Sequence, residues 1–397
     1  MTFVRTSLPK GVPIGNERSA GDTRLVWVDA VKGLGIFLMF YGHFLQKGVA
    51  PDNAAARDQL RLIYSFHMPL FFVLSGLFYR GHDDVHRRLR QLVVRRLVPV
   101  AFFGVLLSPL WAMSEIKQHL PLWHDAALVG GEYLRGRPTL DWVTWFLVCL
   151  FVAELLAMAT LRYIQSPIGR TTFGLACIWL GVFFCSHSDV PAHGLAYLIG
   201  RTWFFSESIV ALGFYAIGAA AYPLLQKLSA QRLQAFVVLA LGGTVVVTTF
   251  RLNHPLAAAV MMAAREHGNP FEFALTAFAG TAAMVALGIL CSGFDWLRLL
   301  GRNALPLLGL NGLFFHYVAP KLSHVKQVPS SMGLVVGEMF LVTVMSLVAC
   351  APLVYLLNRY LPQLVGRPQE TGPWLPSLEG PRKPRDTEEL QPRRTAW

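Results

Sequence analysis

Residues 24–44 read RLVWVDAVKGLGIFLMFYGHF, and the reading of this stretch decides the fold. It is long and apolar enough to enter a bilayer, yet it carries Asp29, Lys32 and His43 inside the apolar run. An ionisable side chain in the middle of a membrane helix costs roughly 2.5–3.5 kcal/mol on insertion scales, so such groups face a protein interior or a pathway. With about 100° of turn per residue, Lys32 and His43 differ by only ~20° in direction on an α-helix. Asp29, Lys32, Gly33, Ile36, Phe40 and His43 therefore form one stripe, whose charged and imidazole ends lie ~16 Å apart. The stretch reads as an active-site helix.

The rest of the chain repeats its apolar character. Of 397 residues, 54% are hydrophobic and only 15% are charged, a balance that excludes a set of soluble domains. Apolar runs long enough to span a membrane recur throughout, so the expected fold is all-α and polytopic, with about ten spans. Their approximate limits are 26–45, 62–79, 92–112, 142–163, 172–190, 203–226, 233–250, 271–293, 303–319 and 331–357. The net charge of +12 would suggest nucleic acid in a soluble protein; here its distribution fits the positive-inside rule, and no nucleic-acid partner is expected. With the N-terminus in the cytoplasm, 23 of the 35 Lys and Arg fall inside and 11 outside, leaving Lys32 in the membrane. The short segment 80–96 carries Arg80, Arg87, Arg88, Arg90, Arg95 and Arg96 and is the clearest cytoplasmic signal.

Three regions follow from this reading. Residues 1–25 form a polar cytoplasmic segment without the apolar core of a cleavable signal peptide. Residues 26–357 form the membrane domain, and both termini are cytoplasmic. The tail 358–397, rich in Pro, Arg and Glu, cannot bury a core and is expected to be disordered. The longest outside loop, 113–141, is expected to fold over the outer mouth. Cys149, Cys177, Cys185, Cys291 and Cys350 all sit in apolar runs without paired spacing and read as buried hydrophobes rather than disulfides or metal ligands. Trp142 and Trp145 read as interface-belt and core aromatics.

Orientation gives the site a polarity. Lys32, Arg302 and the arginines of 80–96 lie toward the cytoplasm, whereas His43, His67, Glu207, His316 and Glu338 lie toward the outer face, with Asn311 at mid-depth and Ser75 on the second span. Arginine and lysine pair with phosphate, and histidine can take a proton from a hydroxyl near neutral pH. Such a layout suits an anionic cytoplasmic donor and an outer hydroxyl acceptor.

Several blocks carry a family resemblance. WVDAVKGLGIFLMFYGH (27–43) resembles the opening of acyltransferase family 3, multispan membrane O-acyltransferases in which a basic residue precedes a functional histidine by ten intervening positions; here the pair is Lys32 and His43. FHMPLFFVLSGLFYR (66–80), RRLVP (95–99), WFL (145–147) and LGRNALPLLGLNGLFFHY (300–317) resemble later blocks of the family. The nearer likeness is to its fucose 4-O-acetylase-like branch. The resemblance implies a bacterial inner-membrane enzyme that takes acetyl-CoA as co-substrate, needs no metal, and modifies a hydroxyl of a polysaccharide, oligosaccharide or glycolipid. His43 then serves as general base or acyl relay, with Lys32 and Asp29 beside it and donor phosphates on Arg87, Arg90, Arg95 or Arg96.

Some positions depart from the family. Lys32 stands where arginine is commoner. Arg87 and Arg90 supply an RxxR spacing, while Arg95 and Arg96 sit nearer the start of the next helix. Asn311 stands where many relatives place a late histidine, with His316 five residues on. Two alternatives remain open at this point: a transporter or flippase of a lipid-linked or acylated sugar, and the same enzyme class with another acyl group such as succinyl.

Overall fold

The computed structural model describes residues 25–49, 53–79, 81, 84–119, 121–187, 202–253, 255, 259–321 and 331–379. Helix α1 spans Val26–Phe44, and a π-helical turn, Leu45–Val49, continues it. Next come α2 (Ala54–Tyr64), α3 (His67–Gly76), α4 (Val85–Leu92), α5 (Val98–Lys117), α6 (Leu122–Leu134) and α7 (Trp145–Thr160). They are followed by α8 (Pro167–His187), α9 (Phe205–Ser229), α10 (Arg232–Thr249) and α11 (Pro270–Leu290). The last helices are α12 (Asp295–Arg302), α13 (Ala304–Leu313) and α14 (Met332–Tyr360). Apart from an isolated bridge between Met261 and Glu266, no extended pairing forms among the described residues. The protein is an all-α, multi-pass membrane protein.

Eight helical runs among the described residues are long and apolar enough to cross a bilayer, two fewer than the ten spans expected. The second expected span breaks at Phe66, whose backbone (φ −138°, ψ −19°) leaves the helical region and separates α2 from α3. The ninth ends as a helix at Leu313 and passes into a π-helical turn, Phe314–Val318. Interrupted helices survive at membrane depth only where they pack against protein or line a cavity. Both interruptions fall at the cavity described below.

Two peripheral expectations are also corrected. The segment 113–141 is not a simple outer loop: α5 runs on to Lys117, and α6 returns beside it until Tyr133 packs over Gly104. The run LWHDAALVGGEYL is helical and apolar, and Trp123, Leu128 and Leu134 stay exposed on its outer side. The tail is ordered well past 358. A 3₁₀ turn at Pro362–Val365 buries Gln363, Trp374 stacks on Tyr360 with ring centroids 4.9 Å apart, and Glu379 pairs with Arg95. These few polar and aromatic anchors hold a segment whose composition alone would leave it unfolded. Residues 380–397, and 1–24 at the other end, lie outside the described residues.

Helix α1 sits at the centre of the bundle, against α3, α11, α12, α13 and α14. Its closest partner is α12. Gly33 lies against the Leu297 carbonyl and Gly301 against the Asp29 carbonyl, so each helix presents a glycine to the other's backbone. Small residues allow such an approach, and packing at short range is what associates helices in lipid. A side chain at Gly301 would collide with backbone that cannot swing aside. Gly301→Val should therefore cost about 1–3 kcal/mol of stability through overpacking, read as a lower melting temperature of the detergent-solubilised protein.

Candidate active site

The stripe on α1 faces one continuous segment, 295–316. At one end the Asp29 carboxylate pairs with Arg302 at 3.4 Å, and Asp29 is 4% exposed. Lys32 places its ammonium 5.6 Å from the centroid of the Phe78 ring. Midway, Phe40 packs on Phe314. At the far end the His43 ring meets Asn311. Every polar member of the stripe thus finds a partner inside the protein, as groups within an apolar bundle must.

His43 Nδ1 forms a short hydrogen bond with Asn311 Oδ1. A carbonyl oxygen only accepts, so Nδ1 carries the proton and Nε2 keeps its lone pair. Asn311 is fully buried, and its Nδ2 has no partner among the described residues. The amide does for His43 what the third member of a catalytic triad does: it fixes tautomer and ring orientation. Asn311 stands where a second histidine was a natural expectation, and it is the direct partner of the first.

A cavity of about 120 Å³ opens beside His43, bounded by Gln46, Tyr64, His67, Trp142, Trp145 and Phe315, with residues 260–264 as its roof. His67 is buried at the start of α3, donates Nδ1–H to the Ile63 carbonyl (3.2 Å) and lies against Tyr64, with ring centroids 4.5 Å apart. Two imidazoles therefore border the same space. His316 takes another role, its Nε2 accepting the backbone N–H of Trp142 at 3.2 Å and so holding the 3₁₀ segment Thr139–Thr144 against the ninth-span region. Glu207, at the start of α9, borders a second, adjoining cavity rather than this one. Ser75 bonds back to the Phe71 carbonyl at 2.8 Å, and Glu338 is half-buried on α14; neither lines the two cavities.

The cationic end of the bundle divides the four arginines. Arg96 sets the Nε–Nη2 edge of its guanidinium on Glu154, with two bonds of 2.9 Å, and Glu154 is buried on α7. That fork is committed to a structural pair. Arg95 grips Glu379 in the same bidentate way, at 2.6 and 2.7 Å. Burial raises the Glu379 carboxyl, but hydrogen bonds from Arg95 and Gln369 and the nearby positive charge outweigh it and hold the group below the usual carboxylate range. Arg90 donates to the Leu378 carbonyl at 3.1 Å, and Arg87 is exposed on α4. Three π-helical turns occur among the described residues: one follows His43, one holds Arg95 and Arg96, and one holds His316. Such turns are rare and gather at functional sites, because the widened turn re-aims the side chains it carries.

Several residues of this region escape sequence reasoning. Gln46 and Tyr64 meet across the cavity, the phenol donating to Gln46 Oε1 at 2.9 Å. Trp142 and Trp145 line the cavity instead of serving only as belt or core aromatics. Asp141 is fully buried, with both carboxylate oxygens unpartnered among the described residues. The roof is built by a polar loop. Asn253 Nδ2 donates to the His267 carbonyl at 2.8 Å, Asn253 Oδ1 accepts from the Asn269 N–H at 3.0 Å, and His267 Nδ1 donates to the Arg265 carbonyl at 3.0 Å. The available signal was polarity: RLNHP and REHGNP are too polar for their apolar surroundings.

Among the described residues no three His, Cys, Asp or Glu side chains converge closely enough to hold a metal ion. What the arrangement offers is an imidazole held in place beside a cavity. A family profile described as "Acyltransferase domain" matches residues 25–355. The chain belongs to acyltransferase family 3. Nodulation protein NolL of Sinorhizobium fredii is 26% identical over 145 residues, 35% of this chain and 38% of that protein, so the match spans well under half of the relative's length. No solved structure matches the chain.

Two outcomes follow from this geometry. Asn311→Ala leaves His43 without its orienting acceptor and should lower acyl transfer by about 10²-fold, within the range that a positioned general base contributes, while the protein still inserts; membrane-fraction yield and turnover measure the two. Burial pushes the His267 ring down to about 4, against the opposing bond to Arg265. A depressed folded value means that the roof's stability is present above the ordinary histidine range and is lost as pH falls toward the folded value. The wild type should therefore lose more melting temperature between about pH 7.5 and about pH 5 than His267→Asn.

Proposed function

We propose that this acyltransferase moves an acetyl group from cytoplasmic acetyl-CoA to a hydroxyl of a cell-surface or exported glycan or glycolipid, across a bacterial inner membrane. The observation that carries the reading is the His43–Asn311 bond, which leaves a lone pair on Nε2 beside a cavity. The other end of the same helix holds Lys32. One helix thus links a cationic end to a basic imidazole, with ~16 Å between them.

The donor set fits a phosphorylated co-substrate. Arg95 already holds a planar anion bidentately, in the form of the Glu379 carboxylate, and a phosphate presents the same paired oxygens. Arg87 and Arg90 stand on the adjoining helix with RxxR spacing. Arg96 is left out of this set, because its partner Glu154 belongs to α7 and ties two helices together, whereas a phosphate on Arg95 would take the place of Glu379 from the tail. Lys32 stands one helical turn from Asp29, which pairs with Arg302, and it adds a further cation for an anionic donor. The donor supplies an activated acyl carbonyl. His43 Nε2 removes the proton from the acceptor hydroxyl as the oxygen bonds to that carbonyl, and the imidazolium returns the proton to the departing thiolate. Basic residues concentrated on one face support the cytoplasmic orientation of both termini.

His43→Ala should abolish acetylation of the envelope glycan while leaving the protein inserted, and Arg95→Ala should raise the donor KM about 10-fold with a smaller effect on kcat. Mass spectrometry of glycans from a deletion strain complemented with each variant reads the first, and thioester consumption in proteoliposomes reads the second. Full acetylation by His43→Ala overturns the assignment of the base. A lost mass larger than one acetyl group replaces acetyl by another acyl donor.

A further inference from the structure

A second cavity of about 210 Å³ adjoins the one at His43, and the two share Trp142, Ala263 and Ala264 as a common wall. Its other walls are Phe204, Glu207, Arg265 and Arg137. Taken together the two spaces reach the lower end of the roughly 300–1,000 Å³ found for small-ligand sites. Nothing in the acyl-transfer chemistry at His43 requires the outer one.

Its construction is specific. Glu207 is 2% exposed, one carboxylate oxygen accepts from Arg265 Nε at 3.1 Å, and Oε2 has no partner among the described residues. A buried carboxylate oxygen without a donor is costly, and native structures seldom keep one without a use. Trp142 meets Phe204 edge to face, with centroids 5.8 Å apart, and its backbone is pinned by His316. Of the four non-glycine residues with positive φ among the described residues, three are Trp203, Phe204 and Arg265, at 57°, 51° and 67°. Such strain costs of order 1–3 kcal/mol per residue and persists where the surroundings enforce it. Here it turns Phe204 and Arg265 into the cavity wall.

We infer that this cavity is an acceptor subsite for a neutral pyranose ring, the neighbour of the sugar whose hydroxyl is acylated at His43. The inference rests on the glycan-acyltransferase reading above. A pyranose offers an apolar C–H face to Trp142 and hydroxyl donors to Glu207 Oε2. A carboxylate oxygen can only accept, so it selects hydroxyls and repels an acidic sugar. The positive charge of Arg265 is met by Glu207, while Arg137 shares Glu132 with Arg135 at 3.0 and 2.9 Å, so the polar atom on this cavity wall without a partner among the described residues is Glu207 Oε2, an acceptor for hydroxyls. The subsite therefore sets which glycan is modified, and Glu207 is a specificity-determining residue.

The test uses full-length protein in nanodiscs with labelled acetyl-CoA. The acceptor is the envelope glycan extract of the host strain, split by anion exchange into neutral and acidic fractions. The neutral fraction should be acetylated and the acidic fraction should not. Glu207→Gln should raise the acceptor KM about 10- to 100-fold, as expected for a lost hydrogen bond to a charged group, while the donor KM is unchanged and kcat at saturating acceptor falls little. Ala264→Trp, at an exposed position on the wall that both cavities share, narrows the outer cavity while leaving the Glu207 side chain in place, and it should weaken the neutral acceptor to a similar extent. Acetylation of the acidic fraction, or an unchanged acceptor KM in both variants, overturns the subsite. If the wild type acetylates neither fraction, the glycan-acetyltransferase reading itself falls, and the subsite with it.

Discussion

A charged or hydrogen-bonding side chain inside an apolar bundle has to be satisfied by the protein, because lipid offers it nothing. In this protein that constraint falls on α1. Its stripe of Asp29, Lys32 and His43 is met by Arg302, Phe78 and Asn311, and the segment 295–316 follows the stripe from end to end. The requirement explains the close α1–α12 packing, since Gly33 and Gly301 must let the backbones approach before these partners can meet. It also explains why α13 gives way to a π-helical turn: the chain has to deliver Asn311 to His43 and His316 to Trp142 from nearly the same place.

Opposing ends of the bundle treat polarity in different ways. At the arginine end, the bidentate Arg96–Glu154 pair fastens the π-helical turn before α5 to α7, and Arg95 holds the ordered tail through Glu379. At the histidine end, His43, His67, Gln46 and Tyr64 border a cavity. The loop between α10 and α11 closes that space with an internal network of Asn253, His267 and Asn269. A donor recognised by charge and an acceptor recognised by shape and hydroxyl contacts would use these two kinds of surface separately.

Much of this was legible in the sequence, though unevenly. The periodicity of residues 24–44 places Lys32 and His43 on one face, and composition marks a polytopic all-α protein. The break at Phe66 was not visible, because FHMPLFFVLSG is apolar on both sides of it and hydropathy does not register a change in backbone direction. Helix α6 was hidden for the opposite reason: its His, Asp and Glu make an apolar helix resemble a loop. The tail misleads because composition does not register specific partners: Trp374 stacks on Tyr360 at the end of α14, Gln363 donates to the Leu375 carbonyl, and Glu379 pairs with Arg95 of the membrane domain.

What the sequence by itself determined is the class of the protein and the axis of its chemistry: a membrane helix carrying a cation and an imidazole on one stripe, with arginines gathered at one side. These are local properties, set by helical repeat and by the cost of charge in lipid. Only the tertiary structure decided who meets whom. It made Asn311 the partner of His43, 268 positions away, reserved Arg96 for Glu154, and brought Trp142, Glu207 and Arg265 around one cavity. Pairings over such distances depend on how helices cross and where the chain bends, and no local pattern of residues encodes them.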